Sequence, residues 1–201
     1  MNNIPNILTL SRIALIPVFI ACYYWPYLHA PLVSAAIFGL AAFTDWLDGY
    51  IARRLNIVSP FGAFLDPVAD KLMVVTVLVV LLQANPDLVL ALPIAVIIGR
   101  EITVSALREW MAELGTRKIV KVSLLGKWKT ALQMISIILL LAGESVLLPA
   151  WIWLLGVGCL YFASVMTFWS MVLYLRAVSY THLRAHETRE DRVCRRVLEK
   201  K

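Results

Sequence analysis

The chain has 201 residues, of which 61% are hydrophobic and only 16% charged, and its mean hydropathy is +0.79. Soluble domains are about half apolar and a quarter charged, which argues against a cytosolic enzyme, a disordered regulator or a secreted disulfide scaffold. A spanning helix needs about 20 apolar residues, so the length suits a polytopic membrane protein of about six spans. The formal charge is +6, but it divides unevenly: 12 Lys or Arg against 9 Asp or Glu up to Val178, then 7 against 4 from Ser179 onward. The last 23 residues thus supply half of the excess. A basic balance in an apolar chain reflects Lys and Arg in cytoplasmic loops, so no nucleic-acid partner is implied.

Six apolar stretches follow one another, roughly 7–25, 30–51, 61–83, 88–110, 123–142 and 148–176. Their lengths predict helices, because barrel strands are shorter and alternate in polarity. The expected fold is therefore all-α, with six transmembrane helices in one domain over 1–178. Turn signals separate the stretches: Trp25-Pro26, Ser59-Pro60-Phe61-Gly62, Asn85-Pro86-Asp87, Gly115-Thr116 and Gly143-Glu144. Arg53 and Arg54 follow the second stretch, Arg117, Lys118 and Lys121 lie between the fourth and fifth, and Arg176 ends the sixth. The connections near 26–29, 84–87 and 143–147 contain no Lys or Arg. This one-sided bias predicts cytoplasmic termini. The start shows no cleavable signal. Cys22, Cys159 and Cys194 stand far apart, without zinc-ligand spacing.

Residues 179–201 form a polar, basic tail. They read either as a cytoplasmic segment drawn to anionic lipid or as a non-native addition, since they resemble a translated sequencing-adapter segment. The second reading is preferred, and His182 and His186 are left out of the functional argument.

Asp45 and Asp48 lie three apart at the end of the second stretch, and Asp66 and Asp70 four apart near the start of the third. Each spacing puts a pair on one helix face. A short loop lets the two faces meet around a small volume. One Asp at a bilayer centre costs about 2.5–3.5 kcal/mol on insertion scales. Four facing lipid would cost on the order of 10 kcal/mol, comparable with the stability of a whole fold. They are therefore expected to face a polar cavity near the interface. Four close carboxylates need countercharge, and Mg²⁺ or Mn²⁺ supplies it through oxygen ligands. Two such ions would suit phosphoryl transfer. Gly49 and Ala52 leave room for a ligand to approach the backbone, and Arg53 stands at the same helix end to grip a diphosphate. The bland alternatives are an N-cap at Asp66 with Pro67 at the first helical position, and an interfacial ion pair between Arg53 and Asp45 or Asp48.

The pattern D-x-x-D-G-x-x-A-R, eight residues, G-x-x-x-D-x-x-x-D is filled by Asp45, Asp48, Gly49, Ala52, Arg53, Gly62, Asp66 and Asp70. It resembles that of the CDP-alcohol phosphatidyltransferases, without departure, and the resemblance runs from about Ile4 to Val178. It implies a six-helix membrane fold, a homodimer, a two-metal site open to the cytoplasm and displacement of CMP from a CDP-linked substrate by an alcohol. It also implies Asp70 as general base, beside its role as a metal ligand. The stretches 3–12, 64–71, 99–115 and 126–130 are most similar to bacterial members that take CDP-diacylglycerol and sn-glycerol 3-phosphate in the cytoplasmic membrane.

That acceptor is a small dianion, and Arg100, Arg108, Lys127 and Lys129 supply cations near the cytoplasmic ends of the fourth and fifth stretches. An Arg100–Glu101 ion pair is the bland alternative. Arg117, Lys118 and Lys121 read as positive-inside anchors. Asn6, Thr9 and Arg12 share a face of the first helix and would close the rim of the CDP-diacylglycerol pocket, with Gly49, Ala52, Arg53 and Gly62 inside it. Three competing readings remain. They are another family member of the phosphatidylserine, phosphatidylinositol or cardiolipin synthase type, an Asp-rich prenyltransferase, and a cation or proton-coupled transporter. The last would show an internal repeat, and residues 120–176 do not echo the acidic hairpin.

Overall fold

Each apolar stretch forms a helix, and the breaks fall where Pro, Gly and Asn interrupt the run. The computed structural model describes residues 4–55, 60–113 and 124–198, with side chains at 10–44, 68–69, 71–107, 109–111 and 128–176. The elements are α1 (Ile4–Tyr23), α2 (Ala30–Leu55), α3 (Pro60–Ala84), α4 (Leu88–Glu113), α5 (Leu124–Gly143) and α6 (Trp151–Leu198). No strand occurs among the described residues. Pro5, Pro31 and Pro60 stand in first turns, where a missing N–H costs nothing. Pro17 and Pro93 lie inside α1 and α4, where packed neighbours can compensate the lost hydrogen bond. The Asp87 carbonyl accepts the Leu90 and Ala91 amides at 3.1 and 3.0 Å, which starts α4 directly after the Asn85-Pro86 break.

Two differences from the sequence-based boundaries stand out. Ser59–Gly62 reads as a turn, yet Pro60 already opens α3, so Gly62 is helical. The sixth apolar stretch ends near 176, yet α6 continues to Leu198. No Gly or Pro interrupts residues 179–198, so nothing local stops the helix.

The interior is shared by all six helices. Phe19, Phe38, Leu78, Leu81, Ile94, Ile97, Ile137, Leu140 and Leu160 are fully buried in one cluster. α1 packs against α2 and α3, α2 against α5, and α6 against α4 and α5, while α3 also meets α4 and α5. The α5–α6 seam depends on small residues. A Cβ on Gly156 would lie 3.0 Å from Leu140, and one on Gly143 would lie 2.7 Å from the Trp153 Cα. Ser136 Oγ donates to the Gly156 carbonyl at 3.1 Å across the same seam. Close backbone approach through small residues is how helices associate where solvent gives no apolar drive.

The outward face is apolar as well: Leu40, Phe43, Leu92, Ile102, Leu154, Val165 and Trp169 are exposed. Leu88–Met111 and Trp151–Arg176 are long and apolar enough to cross a membrane, and shorter apolar helical segments cover Leu10–Tyr23, Ala30–Thr44, Lys71–Ala84 and Trp128–Gly143. This all-helical architecture fits a membrane protein. Cys22 and Cys159 are free thiols within it.

Candidate active site

The acidic motif lies on two consecutive helices, α2 ending at Leu55 and α3 beginning at Pro60. α2 carries Asp45, Asp48, Gly49, Ala52 and Arg53, and α3 carries Gly62, Asp66 and Asp70. Asp48 lies seven residues before the end of α2, and Asp66 six residues after the start of α3. At 1.5 Å per residue, both sit about 10 Å from those helix ends, and Asp45 and Asp70 both sit about 15 Å from them. Each helix thus carries one acid about 10 Å and one about 15 Å from its end nearest the 56–59 connection. Their side chains lie outside the described residues, as do those of Gly49, Ala52, Arg53 and Gly62. The alternative role of Asp66 as an N-cap does not hold, because α3 already begins at Pro60 and Asp66 is inside it. Four carboxylates make an all-oxygen donor set, the kind that suits a hard divalent cation.

The cationic set lies on the neighbouring helices. Arg100, on α4, is buried, and its Nη1 donates to Glu101 Oε1 at 2.5 Å. The local ion pair is thus present. It does not use the whole guanidinium, since Nε has no hydrogen-bond partner among the described residues. A buried guanidinium N–H left open in this way can receive an anion. Lys129, on α5, is 4% exposed, and its Nζ reaches Ser170 Oγ of α6 at 3.4 Å. Arg108 on α4 and Lys127 on α5 have side chains outside the described residues, and so do Asn6 and Thr9 on α1. Arg12 is buried on α1.

One connection was not anticipated from the sequence. Lys71 follows Asp70 directly, and its Nζ donates to Ser105 Oγ on α4, which in turn donates to the Glu101 carbonyl at 2.5 Å. This chain ties α3, which carries Asp66 and Asp70, to α4, which carries Arg100. No spacing rule announces it, because Lys71 and Ser105 are 34 residues apart.

A second polar group was also missed. At the far end of the bundle, Glu144 Oε2 accepts from the Tyr23 hydroxyl and Oε1 from Asn85 Nδ2, each at 2.7 Å. Burial pushes the Glu144 carboxyl above its ordinary value, and the two donors partly offset this. In the sequence, Gly143-Glu144 registers only as a turn.

Comparison with known proteins identifies the family. A CDP-alcohol phosphatidyltransferase family model matches residues 2–175, which contain every motif position. The chain is 52% identical over 192 residues to the CDP-diacylglycerol–glycerol-3-phosphate 3-phosphatidyltransferase of Pseudomonas fluorescens, covering 94% of this chain and 95% of the relative. It is 49% identical to the enzyme of the same name from Pectobacterium atrosepticum, covering 89% and 96%. The Salmonella paratyphi A enzyme is also 49% identical, with 87% and 94% covered. With its acidic hairpin inside the matched region, the chain belongs to the CDP-alcohol phosphatidyltransferase family.

Proposed function

We propose that the protein transfers the phosphatidyl group of CDP-diacylglycerol to sn-glycerol 3-phosphate, giving phosphatidylglycerol phosphate and CMP. The observation that carries this reading is near-complete coverage, at about half identity, of relatives that bear this activity in their name. The six helices are read as six spans of a bacterial cytoplasmic membrane, with both termini and the acidic hairpin on the cytoplasmic side. The one-sided placement of Lys and Arg supports that orientation. The exposed apolar faces suit lipid contact in the same way.

Asp45, Asp48, Asp66 and Asp70 would hold two Mg²⁺ or Mn²⁺ ions, which supply positive charge to the diphosphate of the donor lipid. Arg53, together with Asn6, Thr9, Gly49, Ala52 and Gly62, would bound the CDP-diacylglycerol pocket. Arg100, Arg108, Lys127 and Lys129 would hold the phosphate of the acceptor. Asp70 takes the proton from the acceptor hydroxyl. That oxygen bonds to the phosphorus carrying the diacylglycerol, the bond from phosphorus to the CMP oxygen breaks, and CMP leaves with the electron pair. The Lys71–Ser105 link holds the proton-accepting helix beside the phosphate-binding one. The protein is read as a homodimer by family resemblance.

The test is product identity. Full-length protein in detergent, given CDP-diacylglycerol, Mg²⁺ and equal glycerol 3-phosphate, serine and inositol, should yield phosphatidylglycerol phosphate as the lipid product by mass spectrometry. Phosphatidylserine or phosphatidylinositol as the main product would reassign the acceptor and the four cations with it.

A further inference from the structure

The end of the bundle away from the aspartates carries an acid with no matching base. There Glu144, just past the end of α5, accepts from Tyr23 at the end of α1 and from Asn85 just past the end of α3, one oxygen to each. Both donors are neutral. The connections 24–29, 85–87 and 144–150 contain Asp87 and Glu144 but no Lys or Arg. The one basic side chain in them, His29, stands edge-on to the Tyr27 ring. Among the described residues, no cation pairs with Glu144.

Glu144 and Asn85 also line an open cleft of about 460 Å³, whose wall includes Trp153. That volume is in the range of small-ligand sites. Its lining offers one carboxylate, one amide and one indole. A divalent metal needs about six oxygens, far more than are present. An ammonium group needs a carboxylate, a neutral acceptor and an aromatic face, and this set provides all three. The surroundings indicate where the ammonium comes from. Tyr24, Trp25, Tyr27 and Trp151 are exposed at the same end, and such aromatic belts mark the level of lipid headgroups.

We propose that this cleft binds the primary ammonium of an amine-headgroup phospholipid, held between Glu144, Asn85 and Trp153. The inference rests on the membrane-spanning reading above. It is separate from the transfer site, because 15 helical residues from Asp70 to Asn85 correspond to about 22 Å. Binding there would make the stability of the bundle respond to the amine-lipid content of the membrane.

The test is thermal unfolding of the full chain in detergent with phosphatidylethanolamine or phosphatidylglycerol of the same acyl chains. Phosphatidylethanolamine should raise Tm by about 3–5 °C more than phosphatidylglycerol at saturation. Glu144→Gln should remove that difference. Should Glu144→Gln fail to fold, Trp153→Leu serves instead and should reduce the difference by at least half. An equal response to both lipids, or an undiminished difference in a folded variant, would overturn the proposal. The same increment from free ethanolamine at millimolar concentration would overturn the lipid assignment. CMP release from the same samples reads the other end of the molecule. Loss of release with the amine response intact counts against the proposed reaction alone, and the reverse result counts against the cleft alone.

Discussion

The two ends of the bundle carry their carboxylates in opposite ways. At the hairpin end, four aspartates fall on two consecutive helices, α2 and α3, with a buried Arg100 on α4, which packs against α3. At the far end a single Glu144 is held by two neutral donors, Tyr23 and Asn85. Neutral donors suffice for one acid that also borders an open cleft. They cannot neutralise four, which need cations. The contrast separates the proposed reaction centre, with four acids on two helices, from a place where one acid joins three helix ends.

The largest effect separating the two ends should come from the hairpin. Asp70→Asn keeps the size but loses the base, and CMP release should fall at least 100-fold, while Tm stays within about 2 °C of the parent. Retained turnover in that variant would remove Asp70 from the proton transfer. Arg100→Met should come next. A lost charge-assisted contact to phosphate should raise KM for glycerol 3-phosphate by about 10- to 100-fold, with KM for CDP-diacylglycerol nearly unchanged. A similar rise for both substrates would assign Arg100 a structural role.

The far end should respond in stability and not in chemistry. Gly143→Ala places a Cβ 2.7 Å from the Trp153 Cα, and such overpacking against backbone costs about 1–3 kcal/mol. Tm should drop by about 3–10 °C in a thermal melt, with KM for glycerol 3-phosphate unchanged. Tyr23→Phe removes one donor from Glu144 and should cost about 1 kcal/mol, or about 3 °C in Tm. The smallest effect should be deletion of 179–201, after which CMP release by the remaining chain should match the parent within about twofold if the tail lies outside the functional unit. A larger loss would bring the tail into the site.

The two ends also differ in how far the sequence reveals them. The hairpin is visible because its acids recur at three- and four-residue spacing within apolar runs, where each carries a heavy penalty. The helices are visible for a related reason: long apolar runs end at Trp25-Pro26, Asn85-Pro86 and Gly143-Glu144, and the helices stop there too. The extension of α6 to Leu198 was hidden, because polar residues without Gly or Pro neither signal a span nor prevent a helix. Glu144 was hidden because its partners lie 121 and 59 residues away, and no local pattern encodes such distant pairing. Arg100 falls between these cases. Its neighbour Glu101 was a visible candidate partner, but the open Nε appears only once α4 is packed.

The decisive measurement is metal-dependent CMP release by the full-length protein from CDP-diacylglycerol and sn-glycerol 3-phosphate. Release should require the acceptor, disappear with EDTA and return when Mg²⁺ or Mn²⁺ is added back. Release that persists after complete removal of divalent ions, from protein with its hairpin intact, would contradict the assignment of Asp45, Asp48, Asp66 and Asp70 as the metal-holding centre of the reaction.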